Sequence, residues 1–227
     1  MDVKKIEEKL GVVFKNKSFI EEALTHRSYL NENPKWPHSN NERLEFLGDA
    51  VLELAVTEAI YEKFPKREEG KLTVIRAALV NSKSLSSVAK TLGLDEALLL
   101  SKGEAKDINS KGRDSIAANS VEAVIGAIYL DQGYKPAKKF ITEFILPMAD
   151  DIAADGGKDA KSLVQEYAQA ELKITPNYQV IEESGPAHNR HFKVGLYFEE
   201  ELKAEGEGTS KQEAELDAAE ALIKELG

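Results

Sequence analysis

The spacing of apolar residues changes period once along this chain, and that change limits the fold more than any other feature. Up to about residue 150, apolar positions recur at the three- and four-residue intervals of helices. The helical stretches are Phe19–Leu24, Leu44–Ile60, Lys71–Leu92, Ser115–Leu130 and Pro136–Met148. Two polar stretches between them read as loops: Tyr29–Asn41, with Pro34, Trp36 and Pro37, and Glu104–Arg113, edged by Gly103 and Gly112. Residues Asp150–Lys158 are acidic, small and Gly-containing, the composition of a linker. Beyond them the runs Tyr178–Glu183, His191–Phe198 and Glu201–Gly206 are strand-like. They lie between an amphipathic helix over Asp159–Leu172, with Leu163, Tyr167 and Ala170 on one face, and a helix over Ser210–Leu226, with Ala214, Ala218, Ala221 and Leu222 on its apolar face. An α-β-β-β-α order in about 70 residues predicts two helices packed on one face of an antiparallel sheet. The expected organisation is an all-α domain over 1–149, a linker over 150–158 and a small α+β domain over 159–227.

Composition narrows the chemistry. There is no cysteine, so disulfides, zinc–thiolate sites and cysteine nucleophiles are excluded. No apolar run is long enough to span a bilayer, and Met1–Glu8 lacks the apolar core of a signal peptide. The expectation is a cytoplasmic protein with no membrane partner and no small-molecule cofactor. The charge is acidic, with 30 Lys and Arg against 40 Asp and Glu. Such a balance argues against a nucleic-acid binder, but a local basic stripe on an acidic protein still serves phosphates.

The most informative stretch is Asn41–Leu54. At about 100° per residue, Glu42, Glu45 and Asp49 fall within about 60° of one another. Leu44, Leu47, Val51 and Leu54 fall on the opposite side, expected in a core. Three carboxylates on one face repel one another, and no lysine of the motif shares that face. A hard divalent cation relieves the repulsion, and Mg²⁺ favours carboxylate oxygen and water. The competing reading is a solvated acidic surface. Against it stand Phe46, apolar beside the carboxylates, and Gly48, an interior helical glycine of the kind that marks close approach. A second helix, Ser115–Leu130, places Asn119, Glu122 and Gly126 on one face, with Val121, Val124, Ile125 and Ile128 turned away. If the two helices cross, Glu45, Asp49, Asn119 and Glu122 form one oxygen-rich cage suited to metal-assisted attack of water on a phosphodiester.

Asn41–Asp49 resembles the signature motif of the ribonuclease III family. Ala23–Tyr29 and the pair of segments Val121–Ala123 and Gly126–Asp131 resemble further family motifs, and the C-terminal unit is similar to a double-stranded-RNA-binding domain. The resemblance covers essentially the whole chain and implies a ribonuclease III fold. It also implies Mg²⁺-dependent cleavage of double-stranded RNA, with Mn²⁺ as a substitute, leaving 5′-phosphate and 3′-hydroxyl ends and short 3′ overhangs. Precursor ribosomal RNA and some messenger RNAs are the implied targets. Glu45, Asn119 and Glu122 would be metal ligands, Glu122 and Asp49 catalytic, and Asp49 would position the attacking water. Glu42 would line the RNA valley. The family works as a homodimer built on this helix, which would send Phe46 into the partner; ordinary core packing is the other reading for Phe46. Asn119 departs from the family pattern, which has Asp there, and removes one negative charge from the cage.

The C-terminal unit carries three candidate RNA-binding regions that match the family's. The first helix offers Gln165, Glu166 and Gln169. The 185–190 loop offers His188 and Arg190. The start of the last helix offers Ser210 and Lys211, with phosphate drawn to the positive helix end. Each has a plain alternative: surface filler for the glutamines, a loop residue for His188, and an N-cap for Ser210 with Glu213 as its capping-box partner. Residues 158–227 hold 8 Lys and Arg against 15 Asp and Glu, and Gln212 stands where the family commonly has a lysine. Few cations release few counterions, so weak RNA binding by this unit is expected. Two other readings compete: a catalytically weakened double-stranded-RNA-binding protein on a ribonuclease III fold, and a metal-dependent hydrolase of small phosphorylated molecules.

Overall fold

The structure, a computed structural model, describes residues 2–106, 111–154, 160–185 and 190–226. It divides into two compact units, Met1–Gly157 and Lys158–Gly227.

Every regular element described in the first unit is a helix. Its elements are α1 (Val3–Leu10), α2 (Ser18–Ala23), α3 (Arg27–Glu32), α4 (Glu42–Lys63), α5 (Glu69–Val80), α6 (Ser82–Leu92), α7 (Leu94–Ala97), α8 (Lys102–Lys106), α9 (Lys111–Gln132), α10 (Tyr134–Phe144) and α11 (Ala149–Ala154). The two 22-residue helices α4 and α9 form its spine and make the most extensive contact of any pair of described elements. One apolar core joins them, built on Leu44, Val51, Leu52, Val56, Val121, Val124, Ile125 and Ile128 among others.

Several expectations change here. The 71–92 helix is two helices, because Asn81 is extended (ψ 160°) and its side chain caps α6 by accepting from the Ser84 amide at 2.9 Å. The polar stretch 29–41 begins helically, and the 104–113 loop contains the end of α8 and the start of α9, with 107–110 outside the described residues. The stretch read as a linker opens with α11, whose Ala149 and Ala153 are buried in the helical core and whose Ala153 carbonyl accepts from Arg67 at 2.9 Å. Leu54, placed in the core by its angle, is half exposed. It lies on a separate face of α4 with exposed Phe46, Ala50 and Tyr61, all within about 80° of one another. Among the described residues, no helix is long and apolar enough to cross a membrane.

The second unit has α12 (Ala160–Tyr167), which ends in a wider π-helical turn over Ala168–Leu172. The strands β1 (Asn177–Ser184), β2 (His191–Phe198) and β3 (Glu201–Gly208) and the helix α13 (Lys211–Leu226) follow. The strands form an antiparallel sheet in the order β1-β2-β3. Val164, Ala168, Leu196, Phe198, Ala218, Ala219 and Leu222 make its core. The buried face of the first helix runs through Val164 and Ala168, one turn apart, so Ala170, expected in the core, is exposed. Gly206 lets β3 lie against α13, because a Cβ there would strike the Ala214 carbonyl.

Candidate active site and RNA-binding surface

The crossing of α4 and α9 is made by two glycines. A Cβ on Gly48 would run into the Glu122 carbonyl, and one on Gly126 into the Leu44 carbonyl. Backbone therefore touches backbone at the crossing, and each glycine sits on its helix beside the oxygen-bearing residues. This brings the polar faces of the helices together, with Glu42, Glu45 and Asp49 on one and Asn119 and Glu122 on the other.

The electrostatics follow from that proximity. Glu122 is partly buried, and its carboxyl is pushed up to about 8, first by burial and then by the negative charges of Asp49 and Glu45. Glu45 is also raised, chiefly by burial and further by Glu42 and Asp49, while a side-chain hydrogen bond from Asn119 works in the opposite direction. A carboxylate gains from that bond only as acceptor, so the Asn119 amide donates. Glu42 is exposed at the rim, where it accepts from Asn40 Nδ2 at 3.2 Å and pairs with Arg27 Nη1 at 3.5 Å. The structure thus gathers Glu45, Asp49, Asn119 and Glu122 at one crossing. Among the described residues, no three His, Cys, Asp or Glu side chains are by themselves placed to hold a metal ion; the ligand set expected from the sequence is a different one, two carboxylates and the Asn119 amide oxygen. The donor set still fits a hard divalent cation, being all oxygen, and Glu122 held near 8 is a carboxylate whose cost of ionisation a cation would remove. If such a cation binds, Glu45, Asn119 and Glu122 are the residues that would hold it.

Sequence reasoning missed how Glu42 is held. Thr25, fully buried, accepts from the Asn41 amide at 2.9 Å and bridges to Leu99, while the His26 amide donates to the Leu99 carbonyl at 3.0 Å. Arg27 and Glu42 are each the residue after one of these anchors. No periodicity links them; the only signal was that Ala23–Tyr29 resembled a family motif.

Phe46 projects beside the carboxylates and is 82% exposed, so core packing within this chain is ruled out for it. In the second unit, Gln165, Glu166 and Gln169 lie on the exposed side of the first helix, with Gln169 in the π turn. Arg190 is paired with Glu183 at 2.6 Å, and His188 lies outside the described residues. Ser210 caps α13 by accepting from the Glu213 amide at 3.2 Å, whereas the Glu213 carboxylate turns to the Thr209 amide (2.8 Å) and hydroxyl (2.6 Å), shifting the expected box by one residue. Lys211 is exposed, with its ammonium 5.9 Å from the centre of the Phe192 ring.

A family model described as Ribonuclease-III-like matches residues 16–149, and one described as double-stranded RNA binding motif matches residues 160–226. A helical nuclease domain with paired acidic faces, followed by a duplex-RNA module, defines an endoribonuclease acting on double-stranded RNA. Ribonuclease 3 of Bacillus licheniformis is 43% identical over 223 residues, covering 98% of this chain and 89% of that protein. Ribonuclease 3 of Enterococcus faecalis is 44% identical over 221 residues, covering 97% and 96%. The nuclease domain of ribonuclease III from Campylobacter jejuni, solved in a study of structural flexibility in its dimer-forming region, aligns with a TM-score of 0.57. It shares 41% identity, covering 64% of this chain and 97% of that one. The chain belongs to the ribonuclease III family.

Proposed function

We propose that this endoribonuclease hydrolyses both strands of an RNA duplex as a Mg²⁺-dependent homodimer, with Mn²⁺ able to substitute. The ends are 5′-phosphate and 3′-hydroxyl with short 3′ overhangs, and precursor ribosomal RNA and some messenger RNAs are the cytoplasmic targets. The observation that carries this reading is Glu122, a half-buried carboxyl raised to about 8 where it faces Asp49 and Glu45 across the glycine crossing. Groups tuned this far by burial and like charge cluster at catalytic sites. When bound, the cation supplies charge neutralisation and lowers the pKa of water, so that hydroxide is available near neutral pH. The chain's own part is to hold Glu45, Asn119 and Glu122 at fixed separation and to let Asp49 accept a proton from the attacking water. Glu42 keeps the rim polar for RNA. In the second unit, Gln165, Glu166 and Gln169 reach 2′-hydroxyls, and Lys211 meets phosphate. The dimer reading rests on the apolar stripe of α4, because solvent exposure of Phe46, Leu54 and Tyr61 along one helix is the pattern of a protein interface.

The test is cleavage of a long duplex RNA followed on a gel. Full activity is expected with Mg²⁺, none with EDTA, and none for Glu122→Gln at any Mg²⁺ concentration. Cleavage by Glu122→Gln equal to wild type would remove the basis of the reading.

A further inference from the structure

We propose that Arg27 is a substrate-binding residue of the nuclease site. In the free enzyme Glu42 holds it at the rim of the carboxylate face, and on binding it transfers to a backbone phosphate of the duplex. The inference rests on the reading that RNA phosphate is brought to the α4–α9 crossing.

A site that gathers Glu42, Glu45, Asp49 and Glu122 repels a polyanion. Among the described residues, Arg27 is the only cation paired with any of these four. Its pairing is the kind that exchanges: 3.5 Å, through one guanidinium nitrogen, between side chains 72% and 53% exposed. Such a pair contributes little in water. A phosphate offers the guanidinium two oxygens and a bidentate fit that this geometry with Glu42 does not use.

The backbone beneath is fixed. The His26 amide is bound to the Leu99 carbonyl at 3.0 Å, His26 Nδ1 accepts from the Ser28 amide at 3.3 Å, and the Asn41 amide is bound to the buried Thr25 carbonyl at 2.9 Å. Arg27 and Glu42 therefore leave one small hydrogen-bonded hub, so the stem of Arg27 is aimed while its head is free to swing. Asn40 Nδ2 holds the other oxygen of Glu42 at 3.2 Å, so Glu42 keeps a partner when the arginine departs. The three-methylene stem of Arg27 then carries its guanidinium over the edge of the acidic face, where a phosphate next to the cleaved one would pass.

The experiment uses the full chain with Arg27→Ala and Arg27→Lys. Cleavage kinetics on a defined duplex RNA are measured, and duplex affinity is followed against salt in the Glu122→Gln background so that substrate persists. For Arg27→Ala, KM is expected to rise about tenfold, the loss of one charge-assisted contact, with kcat within about twofold. The log–log salt slope is expected to fall by about one unit. Arg27→Lys restores the slope but only part of KM, since it keeps charge and loses the fork. A purely structural role would lower the melting temperature and leave the slope alone. Unchanged KM and slope in Arg27→Ala, or a fall in kcat at unchanged KM, overturns the inference. If Glu122→Gln still cleaves, it is the location of the site that fails; if it does not cleave while Arg27→Ala behaves as wild type, only the role of Arg27 is lost.

Discussion

Asn119 acts on the site in two opposite ways. Its amide donates to Glu45, which an aspartate at this position does not do, and it spares the crossing a further negative charge. The same neutrality weakens attraction for a divalent ion. Asn119→Asp is therefore expected to lower the Mg²⁺ concentration for half-maximal cleavage and to lower the melting temperature in EDTA; superimposable metal titrations of the two proteins would contradict the first expectation. Glu122 makes a pH-dependent contribution to the stability of the metal-free protein. Its carboxyl rises from 4.5 to about 8, so the folded state holds this proton more tightly than the unfolded chain. The stability from that group is full below about pH 4.5 and is lost as pH rises through 8. Glu122→Gln cannot ionise there, so above pH 8 in EDTA it is expected to melt several degrees higher than wild type, the gap closing towards pH 4.5. Thermal melts at the two extremes check this, and a gap independent of pH counts against it.

At the scale of elements, the α4–α9 crossing depends on residues that have no side chain. Gly126→Ala would press a methyl group into the Leu44 carbonyl, and overpacking of this kind costs about 1–3 kcal/mol or more. The expected result is a melting temperature lower by about 2–4 °C for each kcal/mol, and a loss of cleavage well below the new midpoint that exceeds the loss of folded protein. Melts followed by circular dichroism, paired with cleavage assays, separate the two. The carboxylate face was legible in the sequence because helical angle alone groups Glu42, Glu45 and Asp49, and Gly48 and Gly126 announced a close approach. What was not legible came from forces outside the helix period. Leu54 fits the core angle, yet it belongs to the exposed stripe of Phe46 and Tyr61. Asn81 breaks a continuous apolar pattern through its own side-chain cap. Ala170 is exposed because the buried face follows Val164 and Ala168, an alternative i, i+4 pair beside the larger Leu163 and Tyr167, and spacing alone does not choose between neighbouring faces. The rim partner Arg27 comes from tertiary hydrogen bonding around Thr25, and Asn40 reaches Glu42 over two residues in a loop; neither leaves a periodic trace.

At the scale of the whole molecule, the acidic charge and the affinity for RNA are reconciled locally. The second unit holds 15 acidic against 8 basic residues, and part of its basic complement is committed internally: Arg190 to Glu183, Lys193 to Glu205 and Lys161 to Glu215, each at 2.6 Å. On the proposed reading, duplex recognition by this unit would lean on polar side chains and on Lys211 rather than on a broad basic surface. Assembly is the other property of this scale. Phe46→Ala is expected to shift the protein towards monomer in sedimentation equilibrium and to raise the protein concentration needed for cutting both strands. An unchanged sedimentation profile would place the dimer contact elsewhere. A last consequence comes from the glycine crossing. Because main-chain atoms set the gap between the acidic helices, the frame does not depend on which donor groups it carries. An engineer who wished to favour a softer ion by installing imidazole at position 119 would be changing the upholstery of a fixed chassis, and the distance across it would stay the same.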